Sequence, residues 1–427
     1  MLFAYPDDPS VEAGSDLTLR VSASTQFRIA MYRWGQQSPA RHARADESFC
    51  GTARPAGETG TPWDWPPYRI PIPPDWNGVY VAVLSATGKR VTTREDVDAR
   101  CARALFVVRP IRPDAPIVFN VPLFTYHAYN VDLRSNAERT CLYNGGRSAT
   151  IARPGGGTGG HLWDERNADA YDTTSQRQTF AHWDGKAALW LERHGFAVDY
   201  CTDLDLHRDP TLLERYRALV AFGHHEYWTD EMRTQLDSFI AAGGNAAFFT
   251  GNTCWFRVRY DESTQSFSRL SGRWDHDPET RTFGVSYAYG GGKWIGERPP
   301  TGYTVRRARD WIFDSTGLRD GETFGADERL IGYECDGAAA ADMPGCSVLA
   351  GASLGEWRTA DGSGELNDGA RASMVRLQRH GILFAAGTTD WARVLASGNR
   401  VVGTITRNVL SRFLERAPEA SAALAQE

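Results

Sequence analysis

The side chains best suited to acid, base or metal chemistry concentrate in the run Gly223-His224-His225-Glu226-Tyr227-Trp228. It follows the apolar stretch Ala218 to Phe222, which reads as a buried strand. Two imidazoles and a carboxylate leaving such a strand are costly to desolvate unless they pair or hold a ligand. A structural reading competes: the residues from Thr229 suggest a helix, and His225 and Glu226 would then face water at its amino terminus, where the helix dipole favours a carboxylate.

Other apolar runs are also followed by polar sets. Tyr126, His127, Tyr129 and Asn130 come after Val121, and Asp203, Asp205 and His207 after Tyr200. Asn252 and Cys254 come after Phe249, and Asp390 after Ala386. Each set has a plainer role as well. The Asp203, Asp205, His207 series fits turn and cap residues, Tyr126 and Tyr129 fit core aromatics with a bonded hydroxyl, and Asn252 after Gly251 fits a turn. Cys254 lacks the small following residue that a nucleophile elbow needs, so a cysteine nucleophile is not expected. His-Glu-x-x-His, Gly-x-Gly-x-x-Gly and Walker-type loops are absent.

For these sets to meet, the preceding runs must be neighbouring strands with the polar loops at one rim, where open α/β sheets bind ligands. Past Pro116 short apolar runs (Ile117 to Val121, Phe196 to Tyr200, Arg217 to Gly223, Asn245 to Phe249, Ile382 to Ala386) alternate with helical patterns over Gly185 to His194 and Thr229 to Ala242. That rhythm predicts an α/β fold with a mostly parallel sheet. An aromatic and Gly-rich stretch around 255–380 reads as an irregular insertion over its functional edge. Before it, alternation such as Leu17, Leu19, Val21 and Val79, Val81, Val83 predicts an immunoglobulin-like β-sandwich over residues 1–110, and the proline-rich linker Arg109 to Pro116 opens a second domain, 111–427.

A chain of 427 residues, 41% hydrophobic and 23% charged, can bury two cores. With 47 basic against 53 acidic residues it offers no broad basic face, so nucleic acid and anionic membranes are not expected partners. No run of about 18 apolar residues suggests a membrane span, and the start MLFAYPDD lacks a basic region and a cleavage-type stretch, so a cytoplasmic protein is expected. Seven scattered cysteines without a Cys-x-x-Cys pair suggest reduced thiols rather than a zinc site.

Taken in order, Tyr126-His-Ala-Tyr129-Asn130, Leu142-Tyr143-Asn144, Tyr200-Cys-Thr-Asp-Leu-Asp-Leu-His207, Gly223-His-His-Glu-Tyr-Trp228 and Thr250-Gly-Asn252 resemble the large (beta) subunit of N,N-dimethylformamidase from about Pro116 onward. The resemblance implies a fold similar to a class I glutamine-amidotransferase or flavodoxin-like domain, whose cysteine centre is replaced by one Fe(III) ion held by two tyrosines and a glutamate. It assigns Glu226, Tyr143 and Tyr129 as ligands, with Tyr126 the substitute for Tyr129, His224 as acid/base, and Asn252 as an orienting amide. It further implies hydrolysis of a C-N bond in a small amide-like substrate, with zinc or no metal as the alternatives to iron. Proline usually stands in the family where this chain has His225. The family's longer subunit works with a small partner chain, and a homo-oligomer or such a partner are both compatible with this sequence. Two other readings are a biosynthetic enzyme using the same metal for another C-N transformation, and a non-catalytic carbohydrate- or ligand-binding protein with Trp63, Trp65 and Trp76 as platforms.

Overall fold

A computed structural model describes the chain except residues 1, 36–41, 56, 58–59, 87–101, 131–141, 143–145, 156–167, 272–273, 275–278, 340–342, 356, 358–363, 368 and 416–427. In the front part the period-two pattern becomes strands. Within Asp16–Ala23 the side chains of Leu17, Leu19 and Val21 are buried while Asp16, Thr18 and Arg20 are not. Leu2–Pro6, Asp16–Ala23 and Pro67–Pro71 form one sheet. Ser10–Glu12, Ala102–Arg109, Gly78–Ala86, Phe27–Arg33 and His42–Phe49 form a second, in that order. Both contribute to a shared core of Leu17, Val21, Phe27, Met31, Phe106 and Val108.

Alternation also couples this front part to the rest. Tyr80, Phe106 and Val108 enter the front core, whereas Val79, Leu105 and Val107 on the opposite face join the large core behind it. Asn77 Nδ2 donates to Asp199 Oδ1 at 2.7 Å, and Trp34 Nε1 donates to the Gly185 carbonyl at 2.9 Å. Trp63 and Trp65 are buried with Tyr5 and Ala152, and Trp76 stacks on Tyr80 at 4.4 Å. Two of the three tryptophans named as binding platforms therefore fill the interior.

The large core surrounds a nine-stranded sheet in the order Val198–Thr202, Ile117–Val121, Ala218–His224, Asn245–Gly251, Ile382–Ala385, Arg371–Gln378, Cys346–Ser353, Tyr303–Val305, Thr323–Phe324. The first five run parallel. Ala218–His224 is buried along its whole length, as expected of a strand covered on both faces. The helices Asp184–Arg193, Trp391–Ala396 and Arg400–Leu414 pack on the sheet, as does Asp230–Ala241, whose N-cap Thr229 accepts from Met232 N.

The expected mostly parallel, flavodoxin-like or amidotransferase-like α/β architecture is overturned. The last four strands of this sheet pair antiparallel, as do most strand pairs elsewhere among the described residues, and strand at 37% outweighs helix at 20%. The fold is β-rich and mixed. The physical reason lies in the stretch read as an irregular insertion. It builds strands of its own, and its final strand Arg371–Gln378 reverses into Ile382–Ala385 through only three residues, a connection that permits antiparallel pairing and excludes a parallel crossover. Among the described residues no helix is long and apolar enough to cross a membrane.

One buried ionic knot ties this antiparallel half to the parallel one. Asp390, beyond the Ile382–Ala385 strand, accepts from Arg298 at 3.0 Å, from Arg393 at 2.8 Å and from Tyr333 N at 2.8 Å. Burial alone would raise its pKa, but the two guanidiniums and the backbone bond reverse that and hold the carboxyl well below the usual range. Because the folded value is depressed, its stabilisation is present above the unfolded value near pH ~4 and is lost as the pH falls through the folded value. Asp390→Asn, which strands a buried arginine, is expected to cost about 3–5 kcal/mol at neutral pH. Urea unfolding should show that gap narrowing progressively below pH ~4; a gap independent of pH would contradict this account.

Candidate active site

The polar sets converge at the carboxyl ends of the parallel strands. His224 is the last residue of Ala218–His224 and pairs in register with Gly251 of Asn245–Gly251. Gly223 has φ +74°, and a Cβ there would lie 2.3 Å from Trp183 Cβ, so only glycine lets the chain turn off the sheet at this point. Thr125 Oγ1 in the helix Leu123–Ala128 accepts from Glu226 N at 3.0 Å and from Tyr227 N at 3.3 Å. The run is thereby held against the helix that carries Tyr126 and ends at Tyr129. Asn252 follows its strand with φ +51°, and Asp336 accepts from Asn252 N at 2.9 Å and Thr253 N at 3.1 Å.

These placements bring Tyr129, His224, Glu226 and Asn252 together. Tyr129 donates to Glu226 Oε2 at 2.8 Å, and Asn252 Nδ2 donates to Glu226 Oε1 at 3.0 Å. His224 Nε2 lies 3.6 Å from Glu226 Oε2 and 2.7 Å from Glu334 Oε2, while its Nδ1 lies 2.9 Å from Gln178 Oε1. Burial lifts Glu226 to a pKa of about 7, with Glu334 adding to the rise and His224, Tyr129 and Asn252 opposing it. For His224 burial pulls the other way, but the carboxylates of Glu334, Glu226 and Asp336 outweigh it and raise the pKa above the usual imidazole value. Burial next to Glu226 and Glu334 drives the Tyr129 phenol well above its usual value. The protein alone therefore keeps the proton on Tyr129, which donates it in a hydrogen bond to Glu226.

Tyr126 goes elsewhere. Its hydroxyl donates to Asp184 Oδ2, and Asp184 Oδ1 faces His225 Nε2 at 3.9 Å, all three residues being buried. His225 and Glu226 do not face water as the helix-start reading would have it. His127 is buried beside Arg153, which holds its pKa down at about 3 with burial as the larger cause. Cys254 is buried with a thiol pushed well above its usual pKa, consistent with no nucleophilic role. Asp205 completes a capping box with Thr202 for the short helix Asp203–Arg208. Asp203 accepts from Phe124 N at 2.9 Å and Asn120 Nδ2 at 3.0 Å, and His207 lies 3.1 Å from Thr229 Oγ1. These three support the scaffold. Tyr143 lies outside the described residues.

Glu334, Asp336, Gln178 and Thr125 were not picked out from sequence. Glu334 and Asp336 belong to the strand Glu334–Ala338, where residues two apart share a face. Two carboxylates at that spacing within Ile331-Gly-Tyr-Glu-Cys-Asp-Gly-Ala338 were the available signal. Gln178 and Thr125 carry no local signature.

Among the described residues no group of three His, Cys, Asp or Glu side chains is arranged to hold a metal ion. A metal would depend on tyrosine oxygens. The observed pair fits that chemistry: a buried phenol and carboxylate 2.8 Å apart are hard oxygen donors, and a cation could take the place of the phenol proton between them.

A family model described as "N,N-dimethylformamidase beta subunit-like, C-terminal" matches residues 28–403. No curated protein matches the chain significantly. Among solved structures, a CARDB domain from Pyrococcus furiosus, in complex with di-metal ions, is 8% identical, with a TM-score of 0.16, covering 25% of this chain and 92% of that one. Murine CEACAM1b is 14% identical, with a TM-score of 0.14, covering 41% of this chain and 82% of that one. Scores this low carry no structural argument.

The approach of Glu334 to His224 depends on one glycine. A Cβ at Gly251 would lie 2.5 Å from the Glu334 carbonyl oxygen and 2.7 Å from Thr389 N, both backbone atoms. Gly251→Ala is expected to lower the unfolding free energy by about 1–3 kcal/mol and, in a crystal structure, to move Glu334 out of hydrogen-bond reach of His224. An unchanged separation with unchanged stability would show that the close approach is not what places Glu334.

Proposed function

The chain belongs to the N,N-dimethylformamidase beta subunit-like family, and on that premise we propose that it hydrolyses a C-N bond of a small amide-like molecule at a mononuclear ferric centre held by Tyr129, Tyr143 and Glu226. The observation that carries this reading is the buried contact of Tyr129 with Glu226 Oε2 at 2.8 Å. It supports Tyr129 over Tyr126, whose hydroxyl is taken by Asp184. Bound there, the ion would supply Lewis acidity toward an amide carbonyl.

The surrounding residues have separable tasks. Asn252 Nδ2 orients the Glu226 carboxylate through Oε1. His224 carries a proton on Nε2 that can pass to the departing amine nitrogen, so that amide and water leave as acid and amine. Glu334, 2.7 Å from the same nitrogen, compensates the imidazolium charge. Fully buried side chains around this site keep bulk water from competing for these hydrogen bonds.

We also propose that residues 1–110 form an immunoglobulin-like β-sandwich preceding a catalytic domain over 111–427, and that the protein works in the cytoplasm. The description as a beta subunit supports assembly with further chains.

Iron-supplemented expression is expected to give a coloured protein, because ferric phenolates absorb visible light, with about one iron per chain. Glu226→Ala and Tyr129→Phe should lose the iron and the colour and reduce amine release from an amide panel by more than about 100-fold, whereas Tyr126→Phe keeps the iron. A colourless, iron-free wild type despite supplied iron would defeat the ferric reading. Iron retained by Glu226→Ala would defeat the ligand assignment.

A further inference from the structure

We infer that Gln178 is the positioning residue for His224, fixing which ring nitrogen faces the reacting groups. Its consequence for turnover rests on the hydrolase reading above; its effect on the ring does not.

An imidazole has two nitrogens, and the partner of one decides the task of the other. Nε2 of His224 faces Glu334 Oε2 at 2.7 Å and Glu226 Oε2 at 3.6 Å, and Nδ1 lies 2.9 Å from Gln178 Oε1. The Nε2 side faces carboxylate oxygens, and a proton on Nδ1 in this buried position requires an acceptor whatever the charge of the ring. His224 is wholly buried, so bulk solvent does not supply one. The Gln178 amide oxygen is that acceptor. An oxygen acceptor in this place holds the Nδ1 proton in a hydrogen bond, so exchange with any reacting group is confined to Nε2.

The backbone carrying Gln178 is held against its own preference. Gln178 has φ +62°, a left-handed conformation uncommon for a residue with a side chain. Its neighbours are pinned by buried charges: Arg177 lies 3.6 Å from Asp169 and stacks over the Tyr333 ring at 4.6 Å, one residue before Glu334. His182 lies between Asp169 and Asp172, at 3.6 and 3.3 Å. The next residue, Trp183, fills the space beside Gly223, which precedes His224. One segment therefore holds His224 through its side chain and through the backbone that leads to it.

Three variants separate reach from backbone. Asparagine tolerates a left-handed backbone but is one methylene too short to reach Nδ1, so Gln178→Asn removes the acceptor while sparing the turn. Gln178→Glu keeps both reach and acceptor. Gln178→Met, similar in volume and without an acceptor, replaces the asparagine variant if that one does not fold. NMR of the full chain, iron-free and isotope-labelled at histidine, is read with His224 assigned from the signal that His224→Gln removes. Wild type and Gln178→Glu should show a slowly exchanging Nδ1 proton that Gln178→Asn loses; its retention in Gln178→Asn overturns the inference. On any amide the wild type hydrolyses, Gln178→Asn should lower kcat at least about tenfold with KM within about twofold, and Gln178→Glu should keep most of kcat. Equal kcat in both variants overturns it as well. Absence of turnover in the wild type would instead count against the hydrolase reading, leaving the NMR result to decide on Gln178.

Discussion

Two carboxylates and one imidazole share a dry space at the carboxyl end of the central strands, and that space must balance its charge. Glu226, Glu334 and His224 are each essentially without solvent contact. An isolated ion there would cost several kcal/mol, and the cost is offset only by pairing and by hydrogen bonds to every remaining lone pair. The geometry around them meets part of that demand: Asn252 and Tyr129 donate to Glu226, Gln178 faces His224, and Glu334 Oε2 pairs with His224 Nε2 by charge at 2.7 Å without an aligned hydrogen bond. The glycines at 223 and 251 serve the same end, because they let Trp183 and the Glu334 backbone come close enough to complete the set.

The mixed sheet follows from the same requirement. Glu334 sits in a short strand outside the nine-stranded sheet, bonded instead to Val285–Gly292. It reaches the site because the loop after Ile382–Ala385 holds it: Thr389 N donates to the Glu334 carbonyl at 3.1 Å, and Asp336 N donates to Gly387 O at 3.1 Å. That loop is in turn positioned by the reversal from Arg371–Gln378 into Ile382–Ala385. The antiparallel half is thus the route by which one of the two carboxylates arrives.

Local features of this arrangement were legible in the sequence and long-range ones were not. Apolar runs such as Ala218 to Phe222 declare a buried strand, and Thr229 before Asp230 and Glu231 declares a helix start, because burial period and capping are properties of a few neighbouring residues. The direction of a strand is not such a property. Val348-Leu349-Ala350 and Met374-Val375 carry the same apolar signal whether they run parallel or antiparallel, and lying in the stretch read as an irregular insertion they were not expected to extend the sheet, so its antiparallel half was missed. Glu334 and Asp336 escaped notice for a related reason. An acidic pair in a short run reads as a solvated loop unless the groups that compensate it are known, and those groups, His224 and the Asn252 and Thr253 amides, come from other strands. The polar sets after the buried strands could be named, but which of them meet depended on the close approaches at Gly223 and Gly251.

His225 shows how strictly the backbone divides these groups. Where the chain leaves the sheet, successive side chains point to opposite sides. His224 and Glu226 share one side with Tyr129, while His225 turns to the other, toward Asp184 and Tyr126. Tyr126 and Tyr129 lie three apart along one helical stretch, yet each hydroxyl is claimed by a different carboxylate. A buried histidine in the second cluster has a use there: burial raises the Asp184 pKa, and His225 opposes that rise as the largest compensating neighbour, while the cost of burying its own ring lowers its pKa. With Tyr126 committed to Asp184, the phenol left to face Glu226 is Tyr129. The second cluster therefore shapes the first by subtraction, removing one of two chemically equivalent tyrosines from the side on which His224 and Glu226 meet.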